Sequence, residues 1–289
     1  MESKIAFVIN PNAGVKKKLD IQAFITEHFP KHIPFDCIIW KDKDDFGSIK
    51  QQLLKSNYSI VVACGGDGTV NQVASVVVNT PMSLGILPLG SGNGLARSNK
   101  IPMDLKQALA VIIKGSVRKM DSALINGIPY FCTAGVGFDA LIANCFATST
   151  KRGFATYINT TIKEFFNYKP NHYAITVDGV KTNVDAFLIT IANAGQWGND
   201  VYIAPGAKLD DGLLRVSILK PFSKRSIPVI GLKLFLKKID TAKNFMALVG
   251  KKIEIEFNNE LPVHFDGEPI LVKDKLNIEV VPLSLNVVC

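Results

Sequence analysis

Apolar runs of four to six residues alternate with stretches of helical periodicity over roughly the first 120 residues, the cadence of βαβ units. Ile5 to Asn10, Phe35 to Trp40, Ser59 to Ala63 and Leu84 to Leu87 read as strands. Leu19 to Phe29, Asp45 to Lys55, Val70 to Val78 and Leu105 to Lys114 read as helices. The strands are continuously apolar rather than alternating, which suits a parallel sheet covered on both faces. After about Ser122 the texture changes. Phe131 to Val136, Ala174 to Val177, Ala186 to Ala192, Leu213 to Leu219, Ile253 to Phe257, Ile270 to Val272 and Leu276 to Val281 are strand-like. The turn signals Asn126-Gly127, Asp178-Gly179, Asp211-Gly212 and Asp266-Gly267 punctuate them, so an antiparallel β-rich second domain is expected. Helical insertions are expected near Thr156 to Phe166 and Ile227 to Ile239. The pattern predicts α/β plus all-β, with an α/β domain over 1–122 and a β-rich domain over 123–281, closely packed around a cleft.

Composition narrows the class. The 289 residues are 47% hydrophobic and 20% charged, ordinary for a globular protein with two cores. A net charge of +8 points to an anionic partner, whether nucleotide, anionic lipid surface or nucleic acid. Nucleic acid is disfavoured because no interleaved aromatic and basic motif is present. No stretch approaches the ~20 uninterrupted apolar residues of a membrane span, since 70–89 is broken by Asn71, Asn79, Pro81 and Pro88. No signal peptide is read before the first strand. The five cysteines are odd in number and lack a C-x-x-C pair, so a reducing, cytoplasmic compartment is expected. Neither a disulfide framework nor a zinc site is.

The chemistry concentrates in turns. Gly65-Gly66-Asp67-Gly68-Thr69-Val70-Asn71 follows a strand and opens a helix. Its glycines let backbone N–H groups approach an anion, and the helix directs its positive end at the same place. A carboxylate such as Asp67 beside phosphates needs a divalent cation or a transferable proton between them, which points to phosphoryl transfer. A second polar glycine loop, Gly90-Ser91-Gly92-Asn93-Gly94, follows the next strand, with Ser91 and Asn93 able to bond phosphate, ribose or base. Arg97 reads as a helix cap or a solvent-facing side chain. Asn10 opens a third turn, Asn10-Pro11-Asn12-Ala13-Gly14. The Walker lysine and the G-x-G-x-x-G fingerprint are both absent.

Together these segments resemble the diacylglycerol kinase catalytic-domain family, which includes sphingosine and ceramide kinases and bacterial lipid kinases. Six ordered blocks carry the resemblance: Asn10-Pro11 with Gly14, GGDGTVN at 65–71, PLGSGNGLAR at 88–97, FCTAGVGFDA at 131–140, APGAKLDDGLLRV at 204–216 and Asp266-Gly267-Glu268. The resemblance implies an N-terminal α/β nucleotide domain similar to that of phosphofructokinase and NAD kinase, and a C-terminal β-sandwich lipid domain. It also implies that the chain end, about 282–289, returns to the first domain. By the same resemblance, Gly65, Gly66, Asp67, Gly68, Thr69, Asn71, Gly90 and Ser91 bind ATP, with Asn10 and Asn93 added from the residues themselves. Lys208, Asp211 and Leu213 fall where relatives hold a structural Mg²⁺ through two carbonyls and a carboxylate. Asp266 and Glu268 fall at the catalytic carboxylates, Glu268 at the proton acceptor. The chemistry of phosphoryl transfer itself then assigns Asp67 to the catalytic Mg²⁺ and its waters, with Asp266 supporting Glu268, although the roles are exchangeable in sequence. Read without the resemblance, Asp266-Gly267 is an ordinary hairpin turn. One departure is Ile39-Trp40-Lys41, where relatives often place a nucleotide-contacting threonine.

Around Ile227 to Ile239, Val229, Leu232, Phe235, Leu236 and Ile239 alternate with Lys233, Lys237 and Lys238. The segment reads equally as a membrane-surface helix or as a core helix with solvated lysines. Lys16-Lys17-Lys18 reads as a solvated helix start, Trp197 as core or pocket lining, and the histidines as structural, with His264 the one nearest the chemistry. The expectation is therefore an ATP- and Mg²⁺-dependent lipid kinase of phospholipid metabolism, peripheral at a membrane, acting on diacylglycerol or a sphingoid-type lipid. A homodimer is compatible with this. Its rivals are an enzyme like NAD kinase and a non-catalytic lipid- or nucleotide-binding module.

Overall fold

The computed structural model describes residues 4–11, 19–41, 45–148, 161 and 163–289. The chain forms two compact units, residues 1–120 with 283–289 and residues 121–282. The turn at 12–14, Lys16-Lys17-Lys18 and most of the helix expected at 156–166 lie outside the described residues.

The first unit contains β1 (Lys4–Ile9), α1 (Ile21–His28), β2 (Phe35–Ile39), α2 (Phe46–Lys55), β3 (Tyr58–Gly65), α3 (Asp67–Val77), β4 (Ser83–Pro88), α4 (Gly94–Ser98) and α5 (Leu105–Lys114). Its strands pair in parallel in the order β2-β1-β3-β4. Val61, Val62, Ala63, Leu84 and Ile86 are buried almost completely, which is why these strands are apolar at every position. Burying each Val, Leu or Ile side chain contributes about 1.5–3 kcal/mol. Phe7 meets Phe29 and Phe35 edge to face, fixing α1 and β2 against β1. Asp20 and Asp104 cap α1 and α5 by accepting N–H bonds from Ala23 and Gln107. Gly115, at φ 68°, ends α5 in the left-handed region.

The chain passes to the second unit within β5 (Val117–Ile125). There follow β6 (Ile128–Tyr130), β7 (Thr133–Gly137), α6 (Phe138–Thr148), β8 (Asn171–Val177), β9 (Val180–Ala186), β10 (Leu188–Ala192), β11 (Gln196–Gly198), β12 (Val201–Tyr202), β13 (Leu214–Leu219), α7 (Ile227–Phe235), β14 (Phe245–Gly250), β15 (Lys252–Glu256), β16 (Leu261–Phe265), β17 (Glu268–Val272) and β18 (Lys275–Val288). The order β14-β13-β10-β7-β16-β17 makes one antiparallel sheet. A second sheet pairs β9, β8, β15 and the start of β18. Inward residues of both sheets, among them Val136, Ile189, Val216, Tyr173, Ile253 and Ile278, form a single buried core, so the unit is a sandwich. A smaller core joins Phe138, Phe187, Leu188, Ile203, Ile230 and Ile239.

Among the described residues, four two-residue hairpins have both central residues at positive φ: Asn126-Gly127, Asp178-Gly179, Asn199-Asp200 and Asp266-Gly267. That is the type I′ geometry their sequences favour. Asp211-Gly212 is not such a hairpin, because only Gly212 is left-handed. β18 closes the chain back in the first unit, where Asn286 and Val287 pair in parallel with Ser83 and Leu84.

Several elements depart from the sequence expectation for local reasons. α3 begins at Asp67 rather than Val70, because Gly66 takes the extended cap conformation and the aspartate occupies the first helical turn. The second glycine loop winds directly into the short α4. β5 and β9 are half polar and partly exposed, so they show no apolar run. β16 contains Pro262, which masks it. The strand expected to end at Val281 continues to Val288. α6 follows β7 without a linker, turning at Gly137 with φ 101°.

Candidate active site

β3 and β4 run in register as far as Gly65 opposite Pro88, so the two glycine loops leave neighbouring strands side by side. A Cβ on Gly90 would stand 2.7 Å from Gly66 Cα and 2.8 Å from Asn93 Oδ1. One on Gly92 would stand 2.8 Å from Asp67 Oδ2, and one on Gly65 would strike the Thr69 side chain. Gly66, Gly90 and Gly92 are therefore required by the contact of one loop with the other, and Gly65 by the helix that opens after it, before any ligand is considered.

Asp67 fastens the two loops. The Asn93 N–H donates to its Oδ2 at 2.9 Å and the Gly94 N–H to its Oδ1 at 2.7 Å. Burial is the largest influence on this carboxyl and pushes its pKa up, while these N–H bonds oppose the shift. The folded chain therefore favours the protonated form more than the unfolded chain does. The associated stability is complete below the ordinary carboxylate pKa and declines as pH rises through the folded value.

Asn93, left-handed at φ 51°, accepts the Gly90 N–H through Oδ1 and donates from Nδ2 to the Gly90 carbonyl. Both ends of its amide are engaged in closing the loop. Arg97 Nε donates to the Gly92 carbonyl at 3.1 Å. Asn10 Nδ2 donates to the Thr69 hydroxyl at 3.0 Å, joining the end of β1 to α3. Thr69 and Asn71 are buried, Gly68 is half-buried and Ser91 is exposed at the loop tip. At the departure noted above, Trp40 is buried against Phe46, whereas Lys41 is exposed.

In the second unit, Asp266 sits at a hairpin corner with φ 50°. Its carboxylate accepts three backbone N–H bonds, from Phe131 at 2.8 Å, Cys132 at 2.8 Å and Thr133 at 3.1 Å. Its own N–H donates to the Thr133 carbonyl. Asp266 is thus a fastener, and the residue presented beyond it is Glu268, exposed at the first position of β17. The fully buried Tyr130 phenol is pushed well up, first by burial and then by the Asp266 charge.

At the turn of Lys208, Asp211 and Leu213, an arginine already stands on the aspartate carboxylate. Asp211 Oδ1 accepts the Leu213 N–H, and Arg215 donates to Oδ2 at 2.6 Å, with both side chains about one-fifth exposed. The guanidinium supplies the positive charge that the resemblance assigned to Mg²⁺. Asp121, fully buried, accepts the Gly212 N–H and donates its own N–H to the Leu209 carbonyl, stapling the same turn. Among the described residues, no three His, Cys, Asp or Glu side chains converge as a metal site.

Sequence reasoning did not find a buried trio behind Asp266. Asp139 Oδ2 accepts the Thr190 hydroxyl at 2.8 Å and lies 3.2 Å from His264 Nε2, with His264 and Asp139 almost fully enclosed. Gly135 leaves room for them, since a Cβ there would sit 2.7 Å from Asp139 Oδ2. The trio ties the start of α6 to β10 and to β16, two residues before Asp266. The only hint in the sequence was the position of His264. Trp197 packs on the smaller core. A depression of about 550 Å³ on the second unit, bordered by Lys252, Glu254, Lys275 and Glu279, includes none of the candidate site residues.

A parallel α/β unit followed by a β-sandwich is the fold this chain shares with solved structures of a diacylglycerol kinase and an NAD kinase. A solved diacylglycerol kinase from Bacillus anthracis str. Sterne superposes with a TM-score of 0.75 at 22% identity, covering 99% of this chain and 96% of that one. An NAD kinase from Archaeoglobus fulgidus, solved with ATP, gives 0.56 at 14% identity, covering 99% and 93%. At these identities the likeness is one of fold. Residues 4–125 match the diacylglycerol kinase catalytic domain, and residues 132–289 match the YegS C-terminal NAD kinase beta sandwich-like domain. The chain belongs to the diacylglycerol kinase catalytic-domain family, in its YegS-like branch of lipid kinases. A Yersinia enterocolitica protein named "Probable lipid kinase YegS-like" is 31% identical over 78% of this chain and 77% of its own. One of the same name from Shewanella frigidimarina is 29% identical over 87% and 82%.

Proposed function

We propose that this protein transfers the terminal phosphoryl group of magnesium-bound ATP to a hydroxyl of a diacylglycerol-like or sphingoid-type lipid. The observation that carries this reading is the pair of backbone-packed glycine loops, fastened by Asp67, with α3 opening directly after β3 and Ser91 exposed at the tip of the loop after β4. Loop N–H groups and the Ser91 hydroxyl hold the phosphates there, as the positive end of a helix favours. Gly65, Gly66, Gly68, Thr69, Asn71 and Gly90 shape that surface, and Asn10 and Asn93 act by fixing Thr69 and Gly90 in place. Magnesium bound with the nucleotide would neutralise charge on the transferred group. A carboxylate offers about four acceptor sites, so Asp67 retains capacity for a water on that ion beyond its two N–H bonds.

Glu268 is the candidate proton acceptor for the lipid hydroxyl, because it is exposed and stands beside a corner that Asp266 holds rigid. The reading is tested by following labelled γ-phosphate from ATP and Mg²⁺ onto diacylglycerols, monoacylglycerols, sphingoid bases, ceramides and NAD. The expected result is transfer to one lipid class, with Glu268→Gln lowering kcat by about 10²–10⁴-fold at unchanged thermal stability. Labelling of NAD alone makes the chain an NAD kinase. Tight ATP binding without any transfer makes it a binding module.

A further inference from the structure

Helix α7 is apolar on two opposite faces. Ile230 and the half-buried Leu234 point into the smaller core, with Ile239 just beyond the helix. On the other side Val229, Leu232, Phe235 and Leu236 are 55%, 59%, 54% and 56% exposed. Four of the fifteen exposed large apolar residues among the described residues thus fall within eight positions. Isolated exposed apolar side chains are ordinary, whereas a cluster of this kind is a binding surface. Of the two sequence readings, the core helix with solvated lysines accounts for the inner face alone.

The surroundings are cationic. Lys220, Lys224, Arg225, Lys233, Lys237 and Lys238 flank the helix, and no acidic residue lies between Asp211 and Asp240. Lys224 stands over the exposed Phe166 ring at 4.9 Å, and Lys237 over the Tyr202 ring at 4.2 Å. Lys233 reaches across to the Thr241 carbonyl and hydroxyl, bracing the end of α7 against the following turn. The resulting surface has exposed aliphatic and aromatic side chains at its centre and a basic rim with long, solvated side chains.

We propose that the outer face of α7, with Phe166 beside it, inserts into an anionic lipid bilayer and docks the second unit on the membrane. An apolar partner protein would be met by apolar residues alone, whereas the basic rim matches acidic headgroups at the depth where the central side chains reach acyl chain. The inference deepens the lipid-substrate reading by naming the surface through which the enzyme reaches its substrate.

Binding is measured by co-sedimentation with phosphatidylcholine vesicles and with equal mixtures of phosphatidylcholine and phosphatidylglycerol, without nucleotide or acceptor lipid. The unmodified protein is expected to pellet with the mixed vesicles far more than with phosphatidylcholine, and less so at high salt. Leu232→Ser with Phe235→Ser should weaken the partition by about tenfold or more. Lys237→Gln with Lys238→Gln should remove the preference for phosphatidylglycerol. Both pairs should keep the parent melting temperature and its transfer rate to acceptor dispersed in detergent, since the altered side chains are exposed. The inference is overturned if the unmodified protein pellets with neither vesicle, or if the Leu232/Phe235 pair pellets like the parent. It is also overturned if that pair converts a dimer to a monomer by light scattering while vesicle binding is unchanged. A protein that transfers phosphate without binding vesicles loses only the docking face, and one that binds vesicles without transferring phosphate loses only the kinase reading.

Discussion

The glycine turns of the first unit and the Asp266-Gly267 turn of the second share a sequence signature and differ in its physical cause. Gly66, Gly90 and Gly92 have ordinary negative or extended backbone angles, and what they require is the absence of a Cβ where one loop touches the other. Gly267 has open space around the position a Cβ would take, and what it requires is φ of 87°. The carboxylates repeat the contrast. Asp67 binds one loop to another through two N–H bonds and is buried enough for its pKa to rise. Asp266 binds a hairpin corner to the link between β6 and β7 and to the first residue of β7 through three N–H bonds, and leaves Glu268 in the open. In both regions an aspartate that reads as catalytic is first a fastener.

Removing the fastener from the second region should have the largest effect. Asp266→Ala strands the Phe131, Cys132 and Thr133 N–H groups around a half-buried site, and leaving such donors unpaired costs about 1–3 kcal/mol each before water re-enters. A loss of about 3 kcal/mol in urea unfolding is expected, with transfer activity falling at the same time. Asp266→Asn, which keeps one carbonyl acceptor, should recover part of the stability. If Asp266→Ala unfolds like the parent, the three bonds contribute nothing and the carboxylate is held for chemistry alone.

The glycines offer a more direct comparison. Gly90→Ala places a Cβ against Gly66 Cα and Asn93 Oδ1, which only a shift of backbone can relieve, at a cost of about 1–3 kcal/mol. Gly267→Ala meets no atom and carries only the left-handed penalty of about 1 kcal/mol. Gly90→Ala should also raise the KM for ATP, whereas Gly267→Ala should leave nucleotide affinity unchanged. Equal penalties with equal effects on KM would erase the distinction between contact and conformation.

How much of this was legible in the sequence depended on how local the cause was. The parallel α/β unit showed in continuous apolar strands such as Ser59 to Ala63, and the sandwich showed in Asn-Gly and Asp-Gly turns whose φ the residues themselves dictate. Both are neighbour effects. Asp67 was recognised as important, but its partners Asn93 and Gly94 sit on another loop. Asp266 finds Phe131 at a separation of 135 residues. The Asp139, Thr190 and His264 trio draws on a helix and two strands at once. The exposure of Val229 and Leu232 could not be read either, because helical periodicity shows that a face exists without showing whether anything covers it.

The smallest expected effect tests the turn at 208–213, where a nearby side chain decided the outcome. Arg215, four residues after Asp211, donates to the carboxylate at 2.6 Å, and the partial exposure of the pair limits its value to about 1 kcal/mol. Arg215→Ala should lower stability by that amount in metal-free buffer. It should also leave Asp211 with an uncompensated charge in the turn whose Lys208 and Leu213 carbonyls the resemblance would add to the carboxylate as a donor set of oxygens suited to Mg²⁺ or Ca²⁺. Millimolar Mg²⁺ or Ca²⁺ should then raise the melting temperature of the variant by more than that of the parent, in which the guanidinium already neutralises the carboxylate. The reverse order, with the parent responding to metal and the variant not, would show that Arg215 and a cation share Asp211 rather than compete for it.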